Sequence, residues 1–236
     1  MDTLLKISDL LTLSRRAFPA EICGFLLHNG GIYQCKNQSP DPHAQALISA
    51  EDYAAADTLG ILAIYHSHTQ LSEANFSPAD ARAAMFHQLP IIMINAVTGE
   101  WLVADPVGTL NLPYEGLTWL YGVQDCYSLV SRYLRDTMAI NLPPWTRGDE
   151  SEWESASFNP FIENYTKYGF QRLSVDVDLQ HGDIFLIQQG DTPTHLGVLC
   201  DAQQGHFLHH LQNRQSEKAI WGGYWRKHCV GVFRHG

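Results

Sequence analysis

Two histidines separated by one serine, His66-Ser67-His68, close an apolar run that begins at Ile61. On an extended strand, side chains at i and i+2 share a face, so the two imidazoles point the same way. Across a polar loop, Ser77-Pro78-Ala79-Asp80 brings a carboxylate. Two imidazoles and a carboxylate are a ligand set for catalytic zinc, which keeps its fourth position for water. Such a centre also needs a general base, and Glu21 in Pro19-Ala20-Glu21-Ile22-Cys23-Gly24 is the candidate. A plainer reading stands beside this one. Ser77-Pro78-Ala79-Asp80 is also a helix start, with serine at the N-cap, proline at N1 and an acid at N3. The two readings are compatible, because a helix start there fixes Asp80 beside the end of the strand.

The second half of the chain has its own centre, Gln124-Asp125-Cys126-Tyr127-Ser128. Asp125 can cap a helix running to about Asp136, which leaves Cys126 in its first turn. A helix N-terminus favours a thiolate, and a nucleophilic thiolate needs an imidazole partner. His195, His209 and His210 lie downstream. Gly182 to Leu186 reads as a strand, Thr194 to Leu199 as the next and His206 to His210 as the one after. Histidines on neighbouring strands can sit side by side, giving nucleophile, base and orienting residue in the order Cys, His, His. Taken alone, Cys126 reads as a buried structural thiol. The ordered histidines and the Gly182-Asp183 strand turn the reading toward catalysis.

The first set of residues resembles the JAMM (JAB/MPN) metallopeptidases over roughly residues 1–104. The resemblance implies zinc held by His66, His68 and Asp80, a water activated by Glu21, and Ser77 steadying the tetrahedral intermediate. Thr69 stands where that family usually has proline, and the loop from His68 to Ser77 is one residue longer than usual. The second set resembles the NlpC family of papain-like cysteine peptidases over roughly residues 113–236. It implies Cys126 as nucleophile, His195 as base and His209 as the orienting residue. The usual Asp-Cys-Ser-Gly becomes Asp125-Cys126-Tyr127-Ser128, a change expected to touch the subsite beside the nucleophile. A JAMM-like domain followed by an NlpC-like domain is similar to a family of tail tip assembly proteins of lambda-like tailed bacteriophages and prophages. That likeness implies hydrolysis of peptide cross-bridges in peptidoglycan. It further implies partners among other tail tip proteins, one bearing a ubiquitin-like domain, and a place in the host cytoplasm during assembly and at the virion tail tip.

The elements that must position these residues are legible in outline. Leu4 to Ala17 reads as an amphipathic helix. Strands are expected over Ile22 to Leu27 and Ile32 to Cys35, joined by a turn at Asn29-Gly30-Gly31. A helix capped by Ser49 reaches about Thr58. Ile61 to His68, Pro90 to Val97 and Trp101 to Ala104 read as strands, with a helix from Pro78 to Gln88 between the first two. Proline and glycine recur from Asp105 to Gly116, which reads as a linker between domains at 1–104 and 117–236. Trp221-Gly222-Gly223-Tyr224-Trp225 reads as a packed loop before a last strand, Cys229 to Phe233. The fold class is α+β, a mixed α/β sandwich followed by a papain-like α+β domain.

The totals exclude several roles. A chain of 236 residues with a formal charge of −10 is a poor general nucleic-acid binder. No apolar run reaches the length of a membrane span, and the N-terminus lacks the basic start and apolar core of a signal peptide. Five cysteines without paired spacing suggest a reducing compartment of synthesis, with Cys23, Cys200 and Cys229 as buried hydrophobes. Three functions fit these residues: a bifunctional peptidase, a structural assembly factor whose sites only bind, and a cytoplasmic deconjugating enzyme.

Overall fold

The computed structural model describes residues 5–70, 74–142, 160–190 and 192–236. Leu4, expected at the start of the first helix, lies outside the described residues. The chain divides into two compact units, Met1–Asn111 and Leu112–Gly236. Asp105 accepts from the backbone amides of Gly108, Thr109 and Leu110 at 2.7–3.1 Å, which ties that stretch to the first unit. Gly116 and Leu117 donate to the backbone carbonyl and hydroxyl of Ser216 in the second unit, both at 2.8 Å. Among the described residues, no helix is long and apolar enough to cross a membrane.

In the first unit, helix α1 (Ile7–Ala17) is followed by strands β1 (Cys23–Leu27) and β2 (Ile32–Cys35), and by α2 (Ala50–Asp57). Then come β3 (Ile61–His68), α3 (Pro78–His87), β4 (Ile91–Asn95) and β5 (Trp101–Ala104). The five strands form one sheet in the order β2-β1-β3-β4-β5. β1 and β4 are buried along their whole length, as uninterrupted apolar runs must be when both faces are covered. α1 packs against β4 with Ile7 and Leu10 buried, and Ala56 of α2 joins the core around Phe25 and Ile61. Among the described strands of this unit only β3 and β4 run parallel, so the chain must cross over between them, and α3 is that crossover. This connection carries the start of α3 back to the end of β3, where the histidines are.

The second unit opens on α4 (Cys126–Met138), then α5 (Pro160–Lys167), β6 (Phe170–Leu173), β7 (Ile184–Gln189) and β8 (Thr192–Asp201). It ends with β9 (His206–His209), β10 (Glu217–Ile220), α6 (Gly223–His228) and β11 (Cys229–His235). Its sheet is antiparallel in the order β10-β9-β8-β7-β11-β6. α4 lies on β8 and β9 with Leu129, Val130 and Leu134 buried. α5, β6 and β10 are elements that the residue pattern does not announce: each is short and mixes charge with apolar residues. The stretch expected as a loop at Trp221 to Trp225 instead leads into α6. Trp221 stacks on Phe185 with ring centroids 3.7 Å apart, so it serves the core. Cys200, expected to be buried, is half-buried, while Cys23 and Cys229 are buried.

The Gly182-Asp183 pair has a structural explanation. Gly182 has φ +86°, and a Cβ there would meet the Met138 sulfur at 2.3 Å. Asp183 is fully buried and accepts from Nε and Nη2 of Arg234, both at 2.7 Å, and from the Gln180 amide at 2.8 Å. It thereby ties β7 to β11. Removing one member of such a pair strands the other, so Asp183→Ala should lower the unfolding free energy by roughly 2–4 kcal/mol, allowing for the partly exposed guanidinium. Urea denaturation measures this, and a loss under about 1 kcal/mol would deny the pair its structural role.

Candidate active sites

In the first unit the last residues of β3 and the first of α3 converge. His66 and His68 do share a face, with their Nε2 atoms 3.2 Å apart. Asp80 Oδ1 lies 3.3 Å from His66 Nε2. The three side chains offer ligand atoms all within 4.8 Å of one another. A tetrahedral zinc with ligands near 2.0–2.1 Å needs donor atoms about 3.3 Å apart, so the two shortest separations suit that ion. The histidines are also in the form that binds metal. Burial lowers the pKa of His66 to about 4, with His68 adding to the shift against the pull of Asp80. Burial lowers His68 likewise.

Asp80 has two tasks, one for each carboxylate oxygen. Oδ2 accepts from the Ser77 amide at 2.7 Å and from the Ser77 hydroxyl at 2.8 Å, closing a capping box at the start of α3. Oδ1 is left to face His66. The helix-start and ligand readings of Ser77-Pro78-Ala79-Asp80 thus hold together in one geometry. Glu21 sits just before β1, which pairs with β3 so that Cys23 opposes His66. Its carboxyl is pushed up to about 7, chiefly by burial and then by Asp80 and Asp41. A cleft of about 1060 Å³ opens beside these groups, lined by Glu21, His66, His68, Ser77 and Asp80 and by apolar residues including Leu47 and Phe86.

Ser67, between the two histidines, faces the opposite side and is fully buried. Its hydroxyl accepts from the Ile22 amide at 2.9 Å and its own amide donates to the Ile22 carbonyl at 3.0 Å. These bonds fix the segment carrying Glu21 to the strand carrying the histidines. The sequence marked Ser67 only as a small residue, although an alternating strand implies that it points into the core.

In the second unit Asp125 caps α4. Its Oδ1 accepts from the Ser128 amide at 3.1 Å, and its own amide donates to the Ser128 hydroxyl at 2.6 Å. Cys126 is the first residue of the helix and half-buried. Of the two residues that depart from the usual motif after Cys126, Tyr127 is turned into the core and stacks on Phe161, because the helix points successive side chains about 100° apart, and Ser128 belongs to the cap. The Cys126 sulfur lies 3.9 Å from the Thr194 carbonyl, next to His195.

His195 on β8 and His209 on β9 meet, with His195 Nε2 3.2 Å from His209 Nδ1. Gly197 opposes His209 in the ladder, so His195 is its diagonal neighbour on the same face. A Cβ on Gly197 would lie 2.6 Å from the Phe207 ring. His210, just past the end of β9, places Nε2 3.0 Å from the Arg214 carbonyl. All three rings are buried. Burial, with His209 and His210 adding, lowers His195 to about 3. Burial, then His210, lowers His209 to about 4. Both rings are therefore neutral at neutral pH. Phe207 stacks on His209 at 4.9 Å and Trp225 of α6 stands 4.5 Å from it, walling the pair from water. In the sequence Trp225 reads only as part of a loop. Its place over the histidines depends on the return of the chain through β10 and α6, which carries no local signal.

Comparison with known proteins finds two family matches along the chain. Residues 7–104 match the prokaryotic homologs of the JAB domain, and residues 114–234 match the NlpC/P60 family. The tail tip assembly protein K of Escherichia phage N15 is 30% identical to this chain, over 97% of this chain and 93% of that protein. The chain thus belongs to the tail tip assembly protein K family, in which a JAB-like domain is followed by an NlpC/P60 domain.

Proposed function

We propose that this chain is a phage tail tip assembly protein with two peptidase sites. The second unit would cleave peptide bonds of peptidoglycan through Cys126. The first would be a zinc peptidase acting on a tail partner that bears a ubiquitin-like domain. Assembly would take place in the host cytoplasm, with the tail tip as destination. The contact between His195 and His209 beside a thiol at a helix start carries the cysteine reading. The chemistry then needs only side chains of this unit. Neutral His195 takes the thiol proton of Cys126, and the sulfur attacks the peptide carbonyl. His195 returns the proton to the leaving amine as the C–N bond breaks, leaving an acyl group on Cys126. His195 next takes a proton from water, whose oxygen displaces the sulfur, and the thiol recovers its proton.

In the first unit, His66, His68 and Asp80 would hold zinc. When bound, that ion supplies a Lewis acid for a peptide carbonyl and lowers the pKa of water. Glu21, with its pKa near neutrality, is suited to taking a proton and passing it to a leaving amine. Ser77 stands at the rim of the same cleft with a hydroxyl that steadies Asp80 in the free protein and would steady the tetrahedral oxygen during reaction.

Three outcomes test these assignments. The purified protein should carry about one equivalent of zinc. Replacing His66, His68 and Asp80 together should remove it, while Glu21→Gln should keep the metal and lose cleavage of the tail partner. Metal analysis finding no zinc after gentle purification would count against the site.

Cys126→Ala should abolish digestion of peptidoglycan, and a chelator should spare it. Brief iodoacetamide treatment should modify Cys126 first. Burial, chiefly, pushes Cys23 up to about 11 and Cys35 to about 12, and raises Cys200 and Cys229 too. Digestion by the Cys126→Ala protein, read by muropeptide sequencing, would remove the assignment.

The third outcome is a pH dependence of stability. Above pH 6.5 His195 is neutral both folded and unfolded. Between pH 6.5 and about 3 the unfolded ring binds a proton that the folded ring refuses. Stability therefore falls as pH falls through that window, by on the order of 1.4 kcal/mol per pH unit for each such histidine. Unfolding of wild type should accordingly be more acid-sensitive between pH 6 and 4 than that of His195→Gln. Equal acid sensitivity would mean that His195 is protonated in the folded protein.

A further inference from the structure

The trio Cys126, His195 and His209 leaves one nitrogen unexplained. His209 Nδ1 faces His195, and its Nε2 lies 3.5 Å from Oε1 of Glu217. That second contact is built into the sheet. Glu217 and His209 oppose each other directly in the β9–β10 ladder, so their side chains share a face. His209 is fully buried and its Nε2 makes no hydrogen bond among the described residues, so the half-exposed Glu217 carboxylate at 3.5 Å is the polar group set against it. Phe207 and Trp225 close the faces of the ring.

Each neutral imidazole carries one proton, and the hydrogen bond between His195 Nε2 and His209 Nδ1 has room for one. Two arrangements satisfy this. In the first, His195 Nε2–H donates to a bare His209 Nδ1. The His209 proton is then on Nε2, and His195 Nδ1 is bare. In the second, His209 Nδ1–H donates to a bare His195 Nε2. His195 then holds its proton on Nδ1, and His209 Nε2 is bare. Only the first leaves His195 with a bare nitrogen for the thiol, since Nε2 is already engaged. The two arrangements differ in what they present to Glu217. The first offers an N–H to a carboxylate oxygen; the second sets a lone pair against it.

We propose that Glu217 is a positioning residue that selects the Nε2–H tautomer of His209 and so keeps His195 Nδ1 bare to receive the thiol proton. The proposal rests on the reading of Cys126, His195 and His209 as the reactive trio. It assigns Glu217 the task of a third residue that fixes the tautomer of a catalytic histidine, one ring further out. Glu217 touches neither the thiol nor a substrate.

Long-range proton–nitrogen NMR of the histidine rings at pH 7, in the full chain, reads the tautomers without turnover. The expected result is protonated Nε2 on both His195 and His209. In Glu217→Ala, with its melting temperature checked, the His209 signal should move toward Nδ1–H, and iodoacetamide should alkylate Cys126 about tenfold more slowly. Glu217→Gln keeps an accepting oxygen and should return the rate to within about threefold of wild type. A folded Glu217→Ala protein with unchanged tautomers and rate overturns the proposal. So does a wild-type protein with His209 protonated on Nδ1, a result that decides even where the alanine variant fails to fold. Failure of the trio itself is separately visible. His195→Gln would then leave alkylation of Cys126 unchanged, whatever the tautomer of His209.

Discussion

An imidazole taken out of water gives up its charge before the fold gives way, because burial disfavours the charged form. Both units of this protein are arranged around that constraint. Each brings two histidines on strands to the start of a helix, half-buried in the first unit and buried in the second. In the first unit the result is two uncharged rings with their Nε2 atoms 3.2 Å apart beside a carboxylate. In the second it is two uncharged rings in contact with each other, near a thiol at a helix start. Neutral rings serve both chemistries, ligation and proton acceptance, and a charged ring serves neither.

The helix starts are fixed by the same device in both units. A capping box at Ser77 and Asp80 holds the carboxylate that faces His66, and one at Asp125 and Ser128 holds the turn that presents Cys126. In each case the side chains that satisfy the orphan amides of the helix also fix the turn that carries a candidate site residue. The sheets complete the positioning differently. A parallel crossover brings α3 to the end of β3, whereas simple antiparallel neighbours bring His195 and His209 together. Ser67 joins the Glu21 segment to β3 by two bonds through the core, so the general-base candidate is fixed to the strand of the histidines.

Much of this is visible in the residues themselves. The His66-x-His68 spacing, the Ser49, Ser77 and Asp125 caps and the bounds of β2, β3 and β5 follow from local chemistry, and the structure reproduces them. What local chemistry does not carry is pairing. β10 reads Glu-Lys-Ala-Ile and has little pattern of its own; it is a strand because β9 offers it an edge. Nothing in the sequence places Glu217 opposite His209 or Trp225 over it, since both depend on how the chain returns after β9. Tyr127 shows the reverse error. The motif sets Tyr127 beside Cys126 and so beside the expected subsite, but the rotation of the helix turns adjacent residues apart and Tyr127 is buried.

Covalent chemistry at Cys126 is the most direct mark of the proposed peptidase. Wild-type protein mixed with peptidoglycan peptides and quenched within the first turnovers should show, by mass spectrometry of its digest, an acyl adduct on the peptide containing Cys126. The adduct mass should match the carbonyl half of the cleaved bond. Rapid release of cleaved peptides with no adduct at any quench time, or with an adduct on another residue, would contradict it.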